Sequence, residues 1–131
     1  RARDNISVKE WDARVSDTAS KESADIVLAD LPCSGLGIIG RKPDIKYHTD
    51  IEKIEQLASL QREILTVVQE YVKPGGTLVY STCTISRPEN EENAAWFEKN
   101  FPFVREGSAK QLLSGIDGTD GFFMVKFRKK L

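Results

Sequence analysis

The sequence predicts one α/β domain whose sheet is mostly parallel, and two observations lead to this prediction. Apolar, β-branched runs of strand length alternate with longer stretches whose apolar side chains recur every three or four residues. The 131 residues also suit a single domain with a buried core, and no internal repeat or low-complexity tract interrupts them. Strands and helices that alternate in this way form βαβ units, in which neighbouring strands run parallel.

Two strands are predicted near the N-terminus. Residues 6–12 alternate loosely between apolar and polar side chains, which indicates a short strand that ends at Asp12. Residues 13–24 are polar and Ser-rich and predict a loop or a short helical turn. The apolar segment 25–29 predicts a second strand that is covered on both faces of the sheet.

A long loop and a long helix follow. Residues 33–48 contain three glycines and a proline, a composition that does not support a long regular element. Thr49 and Glu52 are spaced like the two partners of a capping box, so we expect a helix to begin there. Apolar side chains at helical spacing continue to Val72, and the Lys-Pro-Gly-Gly sequence that starts at Lys73 suits the end of that helix.

The rest of the chain predicts three more strands and a second helix. Residues 77–82 predict a strand, and the sequence Ser-Arg-Pro-Glu at 86–89 is a second capping box that opens a helix extending to about Asn100. Residues 103–105 and 121–127 predict two final strands, separated by an irregular Gly- and Asp-rich stretch. Because no helix separates these two strands, we expect an antiparallel pair at the edge of the sheet.

Composition excludes several classes of protein. Apolar residues make up 40% of the chain and charged residues 30%, with a mean hydropathy of −0.38, values typical of a soluble globular protein. No apolar run approaches the roughly 18 residues of a membrane span, and the first residues lack the apolar stretch of a signal peptide. We therefore expect a cytoplasmic protein with no membrane partner.

The numbers of cysteine and histidine residues and the net charge limit which metals and nucleic acids we expect the chain to bind. Two cysteines are too few for a disulfide scaffold, and one histidine leaves no cluster of zinc-ligand spacing, so we expect no metal. The net charge of −1 argues against a nucleic-acid module that binds by bulk electrostatics. Any contact with RNA would therefore be local.

Cys33 and Cys83 are the only cysteines, and each follows a predicted strand. In an open α/β sheet, ligands bind at the carboxyl ends of the strands, so we expect both thiols and Asp30 to face one crevice. Two thiols beside a carboxylate indicate covalent chemistry by a thiolate nucleophile. A lone cysteine is more often a small buried side chain, and this structural role is the alternative for each of them.

Several motifs occur in one order along residues 5–129. Asp-x-Pro-Cys-Ser-Gly-x-Gly begins at Asp30 and Arg-x-Pro-Asp-x-Lys at Arg41. Leu-x-x-Leu-Gln-x-x-Ile-Leu begins at Leu57 and Lys-Pro-Gly-Gly-x-Leu-Val-Tyr-Ser-Thr-Cys-Thr at Lys73, followed by Glu-Asn-Glu and Asp-Gly-Phe-Phe. Together they resemble the Sun/RsmB-type RNA cytosine-5 methyltransferases, and within that family the enzymes that methylate a cytosine of small-subunit (16S) ribosomal RNA.

The resemblance implies a Rossmann-like class I methyltransferase domain that uses S-adenosylmethionine and acts on RNA. By the family pattern, Cys83 is the nucleophile that adds to C6 of the target cytosine, and Cys33 assists release of the covalent adduct. Asp30 would lie between the cofactor and the base, and Asp12 would lie near the adenine of the cofactor. Transient thiol addition is chemically sensible, because it converts a poorly nucleophilic ring carbon into an enamine.

The resemblance also implies that part of the family's domain lies upstream of residue 1. The Gly-rich strand–helix unit that receives the cofactor, and the RNA-binding region, have no counterpart in the sequence. Residues 1–131 are therefore expected to be the C-terminal portion of a single methyltransferase catalytic domain. We expect such a partial domain alone to bind the cofactor weakly and to be inactive.

The loop 41–48 carries four potential cations and one aromatic ring beside the predicted site. Arg41, Lys42 and Lys46 suit contacts with RNA phosphates, and a solvated loop is the equal alternative. His48 is expected at the surface or facing a phosphate, because no neighbour in sequence orients it as a general base.

Other functions stay open at this level. A methyltransferase that acts on transfer RNA would use the same chemistry. Amino-group methyltransferases place Pro-Pro and an aromatic residue where this chain has Pro32-Cys33-Ser34, so the thiol favours methylation at carbon. A non-catalytic α/β module with structural or redox-active cysteines is an alternative from a different class.

Overall fold

The computed structural model describes residues 4–42, 44 and 50–131. Among these residues no helix combines the length and the apolar character that crossing a bilayer requires. Single 3₁₀ turns occur at Thr18–Ser20, Leu36–Ile38 and Gln69–Tyr71. The helices and strands follow the order β1 (Ala24–Asp30), α1 (Ile51–Val68), β2 (Val72–Thr82), α2 (Glu91–Asn100), β3 (Phe103–Arg105), β4 (Lys110–Leu112) and β5 (Phe122–Lys129).

The described strands form one sheet in the spatial order β1-β2-β5-β3, and β4 also pairs with β5. β1 and β2 are parallel and are joined by α1, whereas β2, β3 and β4 each run antiparallel to β5. The predicted antiparallel edge pair is confirmed in β3 and β5. The expectation of a mostly parallel sheet is wrong for the described residues, because only the β1–β2 connection contains a crossover helix that returns the chain in the same direction. β4, which lies in the stretch predicted to be irregular, pairs with the part of β5 that β3 leaves free.

Both helices cover the same face of the sheet, and aromatic rings fill much of the space between the layers. The ring of Phe97 on α2 lies 5.0 Å from that of Phe103 and 4.9 Å from that of Phe127, measured between centroids. Each large apolar side chain that is fully buried contributes about 1.5–3 kcal/mol, so this layer holds the strands in place. The buried apolar cluster consists of Ala29, Leu31, Ile64, Leu65, Val72, Leu78, Tyr80, Ala94, Phe97, Phe103, Phe123, Val125 and Phe127.

The opposite face of β1 is bare in the part of the chain that the structure describes. Ile26 and Leu28 are 63% and 74% exposed, whereas Ala29, on the other face of the strand, is buried. The expectation that this strand is covered on both faces is therefore wrong here, because both helices pack on one side of the sheet. β1 also has β2 as its only strand neighbour among the described residues.

Residues 6–12 form no strand, so the predicted first strand is wrong. A strand needs a neighbour that satisfies its N–H and C=O groups, and no described strand pairs with this segment. Ile6 and Val8 are exposed as a result. The chain joins the body of the protein further on, where the Tyr71 hydroxyl accepts a hydrogen bond from the Asp17 N–H at 2.9 Å.

α1 confirms the predicted amphipathic helix and differs from the prediction at both ends. Its N-cap is Asp50, whose carboxylate accepts the Lys53 N–H at 2.8 Å, and not Thr49, which lies outside the described residues. At the other end β2 begins at Val72, so Lys73 lies in a strand and not in the last helical turn. The Pro-Gly-Gly sequence that follows forms an irregularity in the β1–β2 ladder.

α2 begins later than predicted. Its first residue is Glu91, with Asn90 as the N-cap residue, so the capping box expected at Ser86 and Glu89 is wrong. The Glu89 carboxylate does not return to the Ser86 N–H. It accepts hydrogen bonds from Ser34, which lies on the loop after β1.

The two faces of the sheet should differ sharply in their tolerance of a leucine truncation. Leu78 is fully buried and Leu28 is 74% exposed, and both lie on strands. We expect Leu78→Ala to lower the free energy of unfolding by about 2–5 kcal/mol, and Leu28→Ala by less than about 1 kcal/mol. Urea titration of the two variants measures both values. Equal losses would show that the outer face of β1 is covered in solution.

Candidate active site

The parallel pairing of β1 and β2 brings their carboxyl ends to one edge of the sheet. Asp30 is the register partner of Ser81, and the ladder continues one residue further through the Leu31 N–H, which donates to the Ser81 carbonyl at 3.2 Å. Pro32 fixes its own φ and biases Leu31 toward extended backbone, so the chain continues from β1 toward the end of β2. The residues that follow each strand are therefore neighbours in space.

The two cysteines meet at this edge. The Cys33 Sγ lies 3.0 Å from the Cys83 Sγ, and the Cys83 N–H donates to the Cys33 Sγ at 3.3 Å. Both are free thiols and both are half-buried. The structure thus places the two thiols against each other although fifty positions separate them in sequence.

Burial dominates the electrostatics of Cys33. Desolvation, followed by the hydrogen bond with Cys83, raises the pKa of the Cys33 thiol to about 12. At neutral pH Cys33 is therefore a protonated thiol that can donate a hydrogen bond. The Cys83 Sγ, 3.0 Å away, is within reach of that proton.

A pair of hydroxyls lies directly behind the thiols. The Ser34 Oγ and the Thr84 Oγ1, one residue after each cysteine, are 2.7 Å apart. The Ser34 N–H and hydroxyl both donate to the carboxylate of Glu89, at 2.8 and 2.7 Å. The Gln61 amide donates to the same carboxylate at 3.1 Å and to the Pro32 carbonyl at 2.9 Å.

Sequence reasoning missed Glu89 and Gln61 as parts of this site. Glu89 was assigned to a capping box, because Ser-x-x-Glu at a helix start has that local meaning. Gln61 offers a signal, because this polar residue lies at helical spacing between Leu57 and Ile64 on the apolar stripe of α1. Both side chains are fully buried.

A third loop, which ends at Gly121, packs against the loop after β1 at the point where that loop reaches Cys83. The Gly37 N–H donates to the Cys83 carbonyl at 3.0 Å, and the Gly121 N–H donates to the Gly37 carbonyl at 2.7 Å. A Cβ atom on Gly37 would lie 2.2 Å from the Gly121 carbonyl oxygen, so only glycine permits this approach. The motif that begins at Asp30 and the motif that begins at Lys73 therefore meet the Asp-Gly-Phe-Phe motif at the end of β2.

The two predicted acids are placed differently. Asp30 is exposed at the sheet edge and accepts a hydrogen bond from the Ser81 hydroxyl at 3.3 Å. The Asp12 carboxylate accepts hydrogen bonds from the Arg14 side chain at 2.8 and 3.1 Å, and the bonding with Arg14 lowers the pKa of Asp12 to about 2. No described contact joins Asp12 to Asp30 or to either thiol, because residues 6–12 do not extend a strand to this edge.

The basic loop is described only in part. The Arg41 guanidinium forms an ion pair with Asp120 at 2.9 Å, and Lys42 is exposed. Lys46 and His48 lie outside the described residues. Within the described ranges, no three His, Cys, Asp or Glu side chains are grouped as metal ligands.

Comparison with known sequences finds relatives along almost the whole chain. The family described as 16S rRNA methyltransferase RsmB/F matches residues 2–128. A protein named probable ribosomal RNA small subunit methyltransferase B, from Bacillus subtilis (strain 168), is 42% identical over 144 residues, which cover 95% of this chain and 32% of that protein. Ribosomal RNA small subunit methyltransferase F from Escherichia coli (strain SMS-3-5 / SECEC) is 34% identical over 142 residues, which cover 95% of this chain and 30% of that protein. The chain thus spans about a third of the length of these relatives.

Comparison with solved structures finds the same fold. The crystal structure of NSun6 from Pyrococcus horikoshii with SFG matches 96% of this chain and 35% of that chain, with a TM-score of 0.78 and 29% sequence identity. A methyltransferase homolog protein from Pyrococcus horikoshii matches 80% of this chain and 39% of that chain, with a TM-score of 0.69 and 31% identity. The mixed α/β sheet is therefore part of a Rossmann-like domain.

The contact between Gly37 and Gly121 predicts a sharp difference between two glycine substitutions. Gly37→Ala should lower the free energy of unfolding by about 3 kcal/mol or more, because its Cβ would overlap a backbone carbonyl 2.2 Å away. Gly40→Ala is the matched control, since nothing lies within 4 Å of a Cβ at that position. We expect it to change stability by less than about 1 kcal/mol. Thermal unfolding of both variants tests this, and equal stability would contradict the close approach.

The pKa of about 12 predicts how Cys33 reacts as pH rises. Alkylation of Cys33 by iodoacetamide should accelerate with each pH unit up to pH 10 without levelling off, because the thiolate fraction is still rising. In the urea-unfolded chain the rate should level off near pH 9.5, as for an ordinary thiol. Peptide mapping by mass spectrometry measures the rate at each cysteine. A plateau for folded Cys33 below pH 9.5 would contradict the shift.

The same shift has a consequence for stability. The folded-state pKa of Cys33 is raised above its unfolded value of 9.0. The contribution of this thiol to the free energy of unfolding is therefore fully present below pH 9, where it is protonated in both states, and it is lost progressively as pH rises toward 12. Cys33→Ser should flatten this alkaline loss in a pH series of unfolding measurements.

Proposed function

The chain belongs to the 16S rRNA methyltransferase RsmB/F family, and from that premise we propose that it carries the two active-site thiols of an RNA (cytosine-5)-methyltransferase. The proposed reaction transfers a methyl group from S-adenosylmethionine, the donor that membership of this family indicates, to C5 of a cytosine. The proposed substrate is small-subunit (16S) ribosomal RNA, the RNA for which the family and the relatives are named. The observation that carries the proposal is the 3.0 Å approach of Cys33 and Cys83 at the ends of two parallel strands, one of which ends at Asp30.

Covalent addition explains why this chemistry needs a thiol. C5 of a pyrimidine is a poor nucleophile, so the Cys83 thiolate adds to C6 and forms a sulfur–carbon bond. The displaced electron pair makes C5 enamine-like, and bound S-adenosylmethionine supplies the electrophilic methyl group that C5 takes. Loss of the C5 proton to solvent restores the ring double bond and expels the Cys83 thiolate from C6.

Cys33 is assigned to the release step. With a pKa of about 12 it holds very little thiolate at neutral pH, which argues against its being the nucleophile. A protonated thiol 3.0 Å from the Cys83 Sγ is placed to donate a hydrogen bond to that sulfur as the bond to C6 breaks. This assignment leaves Cys83 as the thiol that adds to C6.

Two carboxylates, those of Asp30 and Asp12, are proposed to hold the cofactor, and as hydrogen-bond acceptors both fit its amino groups. Asp30 is exposed, with the Ser81 hydroxyl as its partner, so it can accept from the cofactor's ammonium group or from the polar edge of the base. Asp12 accepts from Arg14, but a carboxylate has about four acceptor sites, which leaves capacity for an adenine amino group.

Contact with RNA is proposed to be local, because the net charge of the chain is −1. Lys42 is exposed and suits a phosphate. Arg41 is 77% exposed at its side chain but is engaged by Asp120, so it would reach a phosphate only by leaving that ion pair or by using its remaining N–H groups. Lys46 completes the proposed set and lies outside the described residues.

Substitution of each cysteine distinguishes the two roles. In the full-length protein Cys83→Ala should abolish methyl transfer to 16S rRNA, because no sulfur then reaches C6. Cys33→Ala should instead leave the protein covalently attached to RNA, because release is slowed. Methyl incorporation from labelled S-adenosylmethionine measures the first effect, and an RNA–protein band that survives denaturation measures the second.

The double variant is the control, and it should form no such band. Trapping by Cys83→Ala in place of Cys33→Ala would reverse the assignment. Equal activity of both single variants would favour a structural role for the cysteines. Methylation of transfer RNA in preference to 16S rRNA would overturn the proposed substrate.

A further inference from the structure

We propose that Glu89 is a positioning residue that holds the Cys33 thiol against Cys83 by binding Ser34. The contacts themselves are independent of any activity. Their catalytic consequence, slower release of the adduct, rests on the function proposed above.

The Glu89 carboxylate is buried in a way that calls for an explanation. Its residue is 0% exposed, and no lysine, arginine or histidine of the described residues forms an ion pair with it. A buried carboxylate without a cation is costly unless hydrogen bonds replace its hydration. Three donors do so here, and two of them belong to Ser34.

These donors bracket Cys33 on both sides. Ser34, which follows Cys33, is held by Glu89 through its N–H and its hydroxyl. Pro32, which precedes Cys33, is held at its carbonyl by Gln61, and the same amide group also donates to Glu89. The loop around Cys33 is therefore fixed to one buried carboxylate that lies at the start of α2.

The Glu89 carboxylate also determines which hydroxyl of the Ser34–Thr84 pair donates to the other. Ser34 has one hydroxyl proton, which it donates to Glu89 at 2.7 Å, so Thr84 is the donor in the 2.7 Å contact between the two hydroxyls. The Thr84 Oγ1 in turn accepts the Ser86 N–H at 3.2 Å. This chain of hydrogen bonds runs from the Ser86 N–H through the Thr84 and Ser34 hydroxyls to Glu89, and it ties the residue after Cys83 to the residue after Cys33.

Glu89 also makes a structural contact, and this contact uses its backbone carbonyl and not its side-chain carboxylate. The Tyr80 hydroxyl donates to the backbone carbonyl of Glu89, and this contact anchors the start of α2 whatever the side chain is. Substitution of the side chain therefore removes the hold on Ser34 and leaves the backbone contact in place.

Glu89→Gln is the sharpest test, because it keeps the size of the side chain and replaces an acceptor oxygen with an NH₂ group that faces the Ser34 hydroxyl. The first measurement is site-resolved alkylation of the full-length protein with iodoacetamide at pH 8. We expect the Cys33 rate to rise about tenfold as the loop loosens, since the bond donated by the Ser34 hydroxyl to a charged group is lost and the Ser34 N–H then binds only a neutral amide oxygen. The Cys83 rate should change less, because the Gly37 N–H still holds its carbonyl.

Two further variants make the result interpretable. Ser34→Ala removes the hydroxyl, which donates to Glu89 and accepts from Thr84, but keeps the Ser34 N–H bond to Glu89, so it should raise the Cys33 rate by a smaller factor. It also keeps the proposal testable if Glu89→Gln does not fold. Leu78→Ala is the control for a loss of stability alone, because Leu78 is fully buried in the apolar core and its side chain has no polar atom that could bind the Cys33 loop. It should lower the melting temperature and leave the Cys33 rate unchanged.

The second measurement is catalytic. Glu89→Gln should lower kcat for methyl transfer with little change in KM for RNA, and it should accumulate the RNA–protein adduct as Cys33→Ala does. Unchanged Cys33 alkylation in both Glu89→Gln and Ser34→Ala, with only a loss of stability like that of Leu78→Ala, would overturn the positioning role. Faster Cys33 alkylation with no effect on the adduct supports the positioning role and counts against the proposed function.

Discussion

The parallel ladder between β1 and β2 is the interaction on which the site depends, because it decides where two distant segments end. α1 returns the chain so that both strands finish at one edge, with Asp30 in register with Ser81. The two thiols and the two hydroxyls that directly follow the strands then meet within hydrogen-bonding distance. Without this pairing Cys33 and Cys83 would be two unrelated half-buried side chains.

The layer behind the site combines an apolar core with a fully satisfied polar cluster. Aromatic rings fix β2, β3, β5 and α2 relative to one another, and the polar side chains of Gln61, Glu89 and Asn93 fill the adjoining space between α1, α2 and the strand ends. Such a cluster is favourable only when every member finds partners, since an unpaired buried polar group is costly. Hydrogen bonds depend on orientation, whereas an apolar contact of the same size does not. The cluster can therefore fix the orientation of the loops that hold the two thiols 3.0 Å apart.

The thiols share a contact but not an environment. Burial raises the pKa of Cys33 to about 12 and so keeps the Cys33 sulfur protonated at neutral pH. Gly37 reaches the Cys83 carbonyl only because neither it nor Gly121 carries a Cβ. The site is thus assembled from three loops. The buried Glu89 carboxylate holds the loop around Cys33, the register of β1 and β2 positions the loop around Cys83, and the contact between Gly37 and Gly121 holds the loop before β5.

Periodicity and turn residues are local properties, so they were enough to predict the α/β class, β1, the amphipathic α1, the antiparallel edge pair and the meeting of strand ends. The sequence also indicated the family through motifs around Cys33 and Cys83. The tertiary structure decided what depends on neighbours. Residues 6–12 have strand-like alternation but no strand beside them, and the outer face of β1 has no layer over it. Glu89 was predicted to cap a helix, but donors on a loop 55 positions away in sequence offered its carboxylate better hydrogen bonds than the nearby backbone. A local pattern cannot contain such a partner, because folding brings it there.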